Sequence, residues 1–252
     1  MQLIKPNWTA PAHIHAYSTT RLGGVSQPPF HGLNVGLHVE DNPKHVTENR
    51  TLLAQHFPHA PDFCWLNQTH SNQFIQLSKN TPQAINADAS WIDSGQRTCV
   101  VMTADCLPVL VTDQQGSFVA AIHAGWRGLY EGIVEKTIAH ICTQLGLTSE
   151  QLLVWLGPCI GPTAFEVGDD VRSRFIQQNP LTASAFVTAE KSGKWLANLH
   201  QLAQCRLAHL KGISVTMSEH CTFSEPSLFY SYRRDGKTGR LATFIWIDER
   251  ND

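Results

Sequence analysis

The chain has little of what several partner classes demand. It never runs to the ~18 consecutive apolar residues of a membrane-spanning helix, and its N-terminal stretch, MQLIKPNWTAP, has no continuous apolar segment of the secretory-signal kind. The seven cysteines, at 64, 99, 106, 142, 159, 205 and 221, include no CxxC pair, and an odd set makes no closed disulfide framework. These absences lead us to expect a cytoplasmic protein in a reducing compartment, with most thiols serving as small buried apolar groups. An excess of charge is missing too. With 19 Lys+Arg against 21 Asp+Glu, the chain carries no footprint for wrapping nucleic acid or adhering to an anionic membrane, which leaves a small molecule as the partner. Repeats, low-complexity tracts and Gly/Ser linkers are absent, so nothing marks an internal boundary. At 252 residues and 42% hydrophobic, the expectation is one domain over 1–252 with a sizeable core.

What is present is an alternation of strand and helix signals. A strand is read around His15 to Thr19, followed by a breaker-rich ordered loop from Arg21 to Phe30. Asn42-Pro43 supplies a cap and a first-turn proline for a helix that places Val46, Leu53 and Phe57 on one face. Short strands follow at 63–66, 74–77 and 99–103. A further run at 107–112 reads as a continuation of the last, bent or placed at an edge by Pro108. Residues 117–123 form a strand, Ala124 to Gly128 a turn, and Ile133, Val134, Thr137, Ile138, Ile141, Cys142 and Leu145 the apolar face of a helix closed by Gly146. Beyond these come a strand at 152–156, helices at 171–176 and 196–210, and strands at 228–232 and 241–247 around a basic hairpin tip, 233–240. The mixture of βαβ units and hairpins predicts an α/β fold with mixed sheets and helices outside.

Three residues stand where ligands are usually placed. His70 sits in a polar loop after a strand, Cys106 beside the interruption at Pro108, and His123 at the carboxyl end of an apolar strand. Each has a plainer reading, respectively a surface loop histidine, an inert buried thiol and a satisfied core histidine. Two imidazoles and a thiolate suit a zinc ion that keeps its fourth position open for chemistry. Spacing cannot single them out, because 13 His and 7 Cys allow hundreds of such sets. Gly125 and Gly128 would let backbone approach a ligand closely.

In order along the chain, Thr19-Thr-Arg-Leu-Gly-Gly-Val-Ser26, His31-Gly-Leu-Asn-Val-Gly36, Asn67-Gln-Thr-His70 and Ala87-Asp-Ala-Ser-Trp91 resemble the bacterial laccase-domain family. So do Thr103-Ala-Asp-Cys106, His123-Ala-Gly-Trp-Arg-Gly128, Leu156-Gly-Pro-Cys-Ile-Gly161 and Tyr230-Ser-Tyr-Arg-Arg-Asp-Gly236. The resemblance spans about 19–247. It implies zinc held by His70, Cys106 and His123, and mixed sheets sandwiched between helices in α-β-β-α layers, similar to the catalytic domain of cytotoxic necrotizing factors. It also implies action on purine nucleosides, namely phosphorolysis of adenosine, inosine or methylthioadenosine and deamination of adenosine.

A zinc ion that activates water would suit attack at C6 of adenine. Phosphorolysis calls for cations around phosphate, for which Arg21, Arg127, Arg233, Arg234 and Arg240 are candidates. Asn34 is a candidate substrate hydrogen-bonder, and Asp105 a candidate base or ligand-orienting group beside Cys106 and His123. Three other readings stand beside this one. An amidase editing a cell-wall precursor would use zinc or a Cys106–His123 dyad. A copper polyphenol oxidase would need histidines beyond the single His13-Ile-His15 pair, with Met102 or Met217 as an axial ligand. A structural zinc site would need a fourth donor such as Cys159 or His220.

Overall fold

The computed structural model describes residues 1–248. In chain order its strands are β1 (Leu3–Ile4), β2 (Ile14–Thr19), β3 (Phe63–Trp65), β4 (Phe74–Gln76), β5 (Ala89–Ile92), β6 (Thr98–Thr103) and β7 (Leu107–Asp113). They continue with β8 (Val119–Ala124), β9 (Leu152–Leu156), β10 (Glu166–Gly168), β11 (Phe186–Thr188), β12 (Lys194–Ala197), β13 (Ser214–Met217) and β14 (Leu241–Ile247). The α-helices are α1 (Pro43–His56), α2 (Trp126–Glu131), α3 (Ile133–Leu145), α4 (Asp169–Gln178), α5 (Leu199–Leu207) and α6 (Tyr232–Asp235).

A first sheet runs β1-β2-β14-β6-β3 and a second β13-β9-β7-β8-β5-β4, with a small third sheet β10-β12-β11. The two large sheets are mixed: β3 pairs β6, β4 pairs β5 and β13 pairs β9 in parallel, and the remaining ladders are antiparallel. The two-residue side-chain period of a strand explains the layering. On β6, Cys99 and Val101 face the second sheet while Val100 and Met102 face outward. On β7, Leu110 joins the layer between the sheets while Val109 and Val111 face the other way. The outer face of the first sheet is covered by α1 through Leu53, and that of the second by α3 through Ile133, Val134, Ile138 and Ile141. Each fully buried aliphatic side chain contributes ~1.5–3 kcal/mol of transfer free energy. The α-β-β-α sandwich therefore has three apolar layers, and both central sheets are buried on two faces.

Several expectations are corrected. Residues 103 and 107 do not share a strand, since β6 belongs to the first sheet and β7 to the second. Nor is β7 an edge, because it pairs with both β8 and β9. Pro108 is tolerated because it lies before the β9 ladder begins at Val109, and its carbonyl accepts the Gly157 N–H. Of the turn read at 124–128, Ala124 closes β8, Gly125 is the N-cap and 126–128 are the first turn of α2, which ends at Gly132 in the left-handed region, φ 82°. The helix read over 196–210 is divided: Lys194–Ala197 is a strand, and Asn198 caps α5 by accepting the Gln201 N–H. Finally, 228–240 is no hairpin. Ser231 accepts the Arg234 N–H to start α6, and β14 takes β2 and β6 as its partners.

Candidate metal centre and its cleft

The chain passes from the first sheet to the second twice at one end of the sandwich, between β3 and β4 and between β6 and β7. His70 rides on the first crossover and Cys106 on the second. His123 is the fifth residue of β8, directly opposite Pro108. Three residues distant in sequence thus meet where crossovers converge on a strand's carboxyl end. Both crossovers turn sharply: His70 has φ 60° and Asp105 φ 93°, a region that costs a non-glycine residue on the order of 1–3 kcal/mol. Local hydrogen bonds offset that cost. The His70 N–H donates to Asp88 at 3.0 Å, and the Asp105 carbonyl accepts the Ile160 N–H.

The donor atoms of His70, Cys106 and His123 lie within 4.8 Å of one another, with Cys106 Sγ 3.9 Å from His70 Nε2. His123 Nδ1 lies 2.8 Å from Asp88 Oδ1, leaving Nε2 for a ligand. In a tetrahedral zinc shell with bonds of ~2.0–2.3 Å the donors stand about 3.5 Å apart, so the set fits zinc after a small contraction. Gly125 makes the space. A Cβ there would stand 3.0 Å from Cys106 Sγ and 3.3 Å from His70 Cδ2.

The metal-free electrostatics are those of an ion pair. Burial alone would push the Cys106 thiol up, but the His123 cation and hydrogen bond, with His70 behind them, bring it down to about 6. Burial likewise opposes charge on His123, and the Cys106 thiolate and Asp88 outweigh it, raising His123 to about 9. Asp88 is fully buried, and that burial disfavours its charge. The His123 and Ser71 donors reverse the effect and hold it well below the usual carboxylate range.

The open side of the trio faces a cleft of about 230 Å³, where Trp126, Phe165 and Tyr232 provide aromatic walls and Arg127 and Arg233 the cations. Arg127 is exposed and lies 4.8 Å over the Trp126 ring. Arg233 donates to the Glu166 carbonyl at 2.7 Å and lies 5.3 Å over Phe165. Asp105 also lines the cleft, but its carboxylate accepts the Thr222 hydroxyl and the Arg233 N–H, both at 2.7 Å. Those bonds make it an anchor for α6, which weighs against the base expected from sequence.

Two expected substrate residues lie away from the cleft. Arg21 donates to the carbonyls of His31 and Pro226 and stacks on Tyr230. Asn34 is buried, donating to Asp41 and accepting the Gly36 and Arg240 N–H groups. Arg234 is pinned by Asp235 and three carbonyls, and Arg240 by the carbonyls of Thr238 and Gly239. The fourth donors considered for a closed site are engaged elsewhere: Cys159 Sγ lies 3.5 Å from His200, and His220 pairs with Glu225. His13 and His15 likewise face Gly116 and Asp248. Among the described residues His70, Cys106 and His123 are the one convergent donor group of three or more, whereas a multicopper cluster needs several.

Sequence reasoning gave Asp88 no role, although it touches both the first crossover and His123 on β8. The available signal was a lone carboxylate, Ala87-Asp88-Ala89, just before a strand that is buried throughout.

Comparison with known proteins places the fold among solved structures. The family model described as multi-copper polyphenol oxidoreductase laccase matches residues 15–248. A Haemophilus influenzae protein named purine nucleoside phosphorylase is 47% identical over 251 residues, covering 98% of this chain and 100% of its own. A Pseudomonas aeruginosa protein of the same name is 44% identical over 246 residues, covering 98% of each. The crystal structure of a Neisseria meningitidis protein superposes with TM-score 0.91 at 43% identity, covering 98% of this chain and 99% of that one. YlmD from Geobacillus stearothermophilus superposes with TM-score 0.87 at 29% identity, covering 94% and 93%. No helix among the described residues is long and apolar enough to cross a membrane.

Proposed function

We propose, from the premise that the chain belongs to the multi-copper polyphenol oxidoreductase laccase family, that it is a single-domain, zinc-dependent purine nucleoside enzyme. Its reactions are phosphorolysis of adenosine, inosine or methylthioadenosine and deamination of adenosine. The observation that carries this reading is a three-donor His-Cys-His centre opening into a cleft that combines aromatic walls with two arginines. The names of relatives matched over nearly their whole length support it. Held by His70, Cys106 and His123, zinc would supply a Lewis acid at the cleft wall.

The chain's own groups supply the rest. Phe165 and Tyr232 offer ring faces to a purine, and Arg127 and Arg233 offer cations to phosphate. In phosphorolysis a phosphate oxygen bonds to the sugar C1′, the C1′–N9 bond breaks with its electron pair going to the base, and the base takes up a proton. The test is a chromatographic product screen of zinc-loaded protein with each nucleoside, with and without phosphate. Phosphate-dependent release of adenine or hypoxanthine supports phosphorolysis, and inosine from adenosine supports deamination. Neither product, at any metal loading, would contradict the reading.

The Cys106–His123 pair, with donors within 4.8 Å, favours a second reading, an amide hydrolase with the Cys106 thiolate as nucleophile and His123, which holds the thiol's proton, as acid to the leaving amine. Metal content separates the two. A protein isolated without zinc whose Cys106 alkylates rapidly is a dyad enzyme, since a zinc-bound thiolate is withdrawn from attack.

A further inference from the structure

We infer that Asp88 is a positioning residue that sets both histidine donors at once, an inference that rests on the three-donor metal centre proposed above. One carboxylate oxygen bridges the two. Asp88 Oδ1 accepts from His123 Nδ1 at 2.8 Å and from the His70 backbone N–H at 3.0 Å. Its Oδ2 accepts the Ser71 N–H and hydroxyl, both at 2.7 Å, and the Thr69 N–H and hydroxyl at 3.2 and 3.3 Å. The group is completely buried, and its own backbone is tied to the same elements: Asp88 N–H donates to Gln73 and the Asp88 carbonyl accepts the His123 N–H.

The consequence for each ligand differs. The imidazole of His123 can rotate about its side chain or bind metal through either nitrogen. A carboxylate that takes the Nδ1–H fixes the ring plane and leaves Nε2 as the donor. His70 has the opposite difficulty, since its ring is exposed and its backbone occupies the left-handed region, from which an unconstrained loop would relax. Three consecutive N–H groups, of Thr69, His70 and Ser71, converge on Asp88 and hold that turn. One atom, Oδ1, therefore links the direction of the first ring to the position of the second. A neutral amide cannot reproduce this, because one of its two ends is a donor and would face either His123 or the 69–71 N–H groups.

The test compares Asp88→Asn with Ser71→Ala, measuring zinc affinity by competition with a chromophoric chelator and fold by circular dichroism. Asp88→Asn is expected to weaken zinc about 10–100-fold, whereas Ser71→Ala, which removes one bond to Oδ2 and none to Oδ1, should stay within about threefold. An Asp88→Asn affinity within twofold of wild type overturns the inference, and so does a Ser71→Ala loss as large as that of Asp88→Asn. A readout needing no variant is long-range 1H–15N correlation on the zinc-loaded wild-type protein. The inference expects His123 protonated at Nδ1 with Nε2 ligated, and ligation through Nδ1 overturns it even if Asp88→Asn fails to fold. None of these measurements uses substrate. A negative product screen thus leaves the inference standing, and its failure leaves the screen's result standing.

Discussion

Two histidine–carboxylate pairs of nearly equal length sit at opposite ends of the sandwich, one on each large sheet. At one end His15 and Asp248 lie 2.7 Å apart, with 30% and 46% of their side chains exposed. At the other, His123 and Asp88 lie 2.8 Å apart, exposed by 4% and 0%. Distance does not tell them apart. The second pair is shielded from water, has the Cys106 thiol within 4.8 Å of a ring nitrogen of its imidazole, and shares its carboxylate with a neighbouring turn. The first is stacked on Trp246 and open to solvent. A close His–Asp contact becomes a chemical centre through low dielectric and a third group, because both strengthen the field that the ring experiences.

The comparison is sharpened most by removing one member from each end. Cys106→Ala should abolish turnover in the product screen and weaken zinc at least a hundredfold in chelator competition, while His15→Ala changes neither by more than about twofold. Loss of zinc from both would break the distinction. The next effect is one of pH. In metal-free protein Cys106 becomes thiolate as pH rises through about 6, since its pKa is lowered and the reactive form exists above it. Alkylation by iodoacetamide, followed by mass spectrometry, should therefore already be on its plateau at neutral pH and fall as pH drops below about 6. Cys99, pushed up to about 12 by burial, should stay unreacted. A Cys106 rate still climbing through pH 9 would contradict the ion pair.

A smaller effect is expected for Gly125→Ala. Its methyl must displace Cys106 Sγ or the His70 ring, and a tenfold loss of zinc affinity, on the order seen for disturbed metal surroundings, would place the constraint there. Smallest is Asp248→Asn, whose partly exposed pair is worth ~0.2–1 kcal/mol in denaturant unfolding. A larger loss would mean the solvent-facing end carries structure that this contrast denies it.

Much of this was legible from residues alone. Cap chemistry placed α1, where Asn42 accepts the Lys44 N–H, and the 3.6-residue period of 133–145 gave α3. The run Leu152–Leu156 matched its strand without adjustment. What failed were the joints. Two apolar runs, 99–102 and 107–111, separated by a few residues cannot reveal that the chain changes sheets at 104–106, because both strands are buried on two faces and read alike. The Arg-rich 233–240 segment reads as a hairpin because its flanks are apolar, yet Leu228 to Ser231 pack as loop and Ser231 caps a helical turn. The three metal donors were named from resemblance and context. Asp88 went unnoticed because its role depends on a loop, 69–71, and a strand residue, His123, that meet it only in space, as did the internal partners that occupy Arg21 and Asn34.

X-ray absorption at the zinc edge of purified, zinc-loaded protein reads the ligand shell itself. One zinc per chain is expected, with one sulfur at ~2.3 Å, two imidazole nitrogens at ~2.0–2.1 Å and a fourth light-atom ligand not from the protein. A shell with two sulfurs, with a third imidazole, or with no sulfur at all would contradict the three-donor centre.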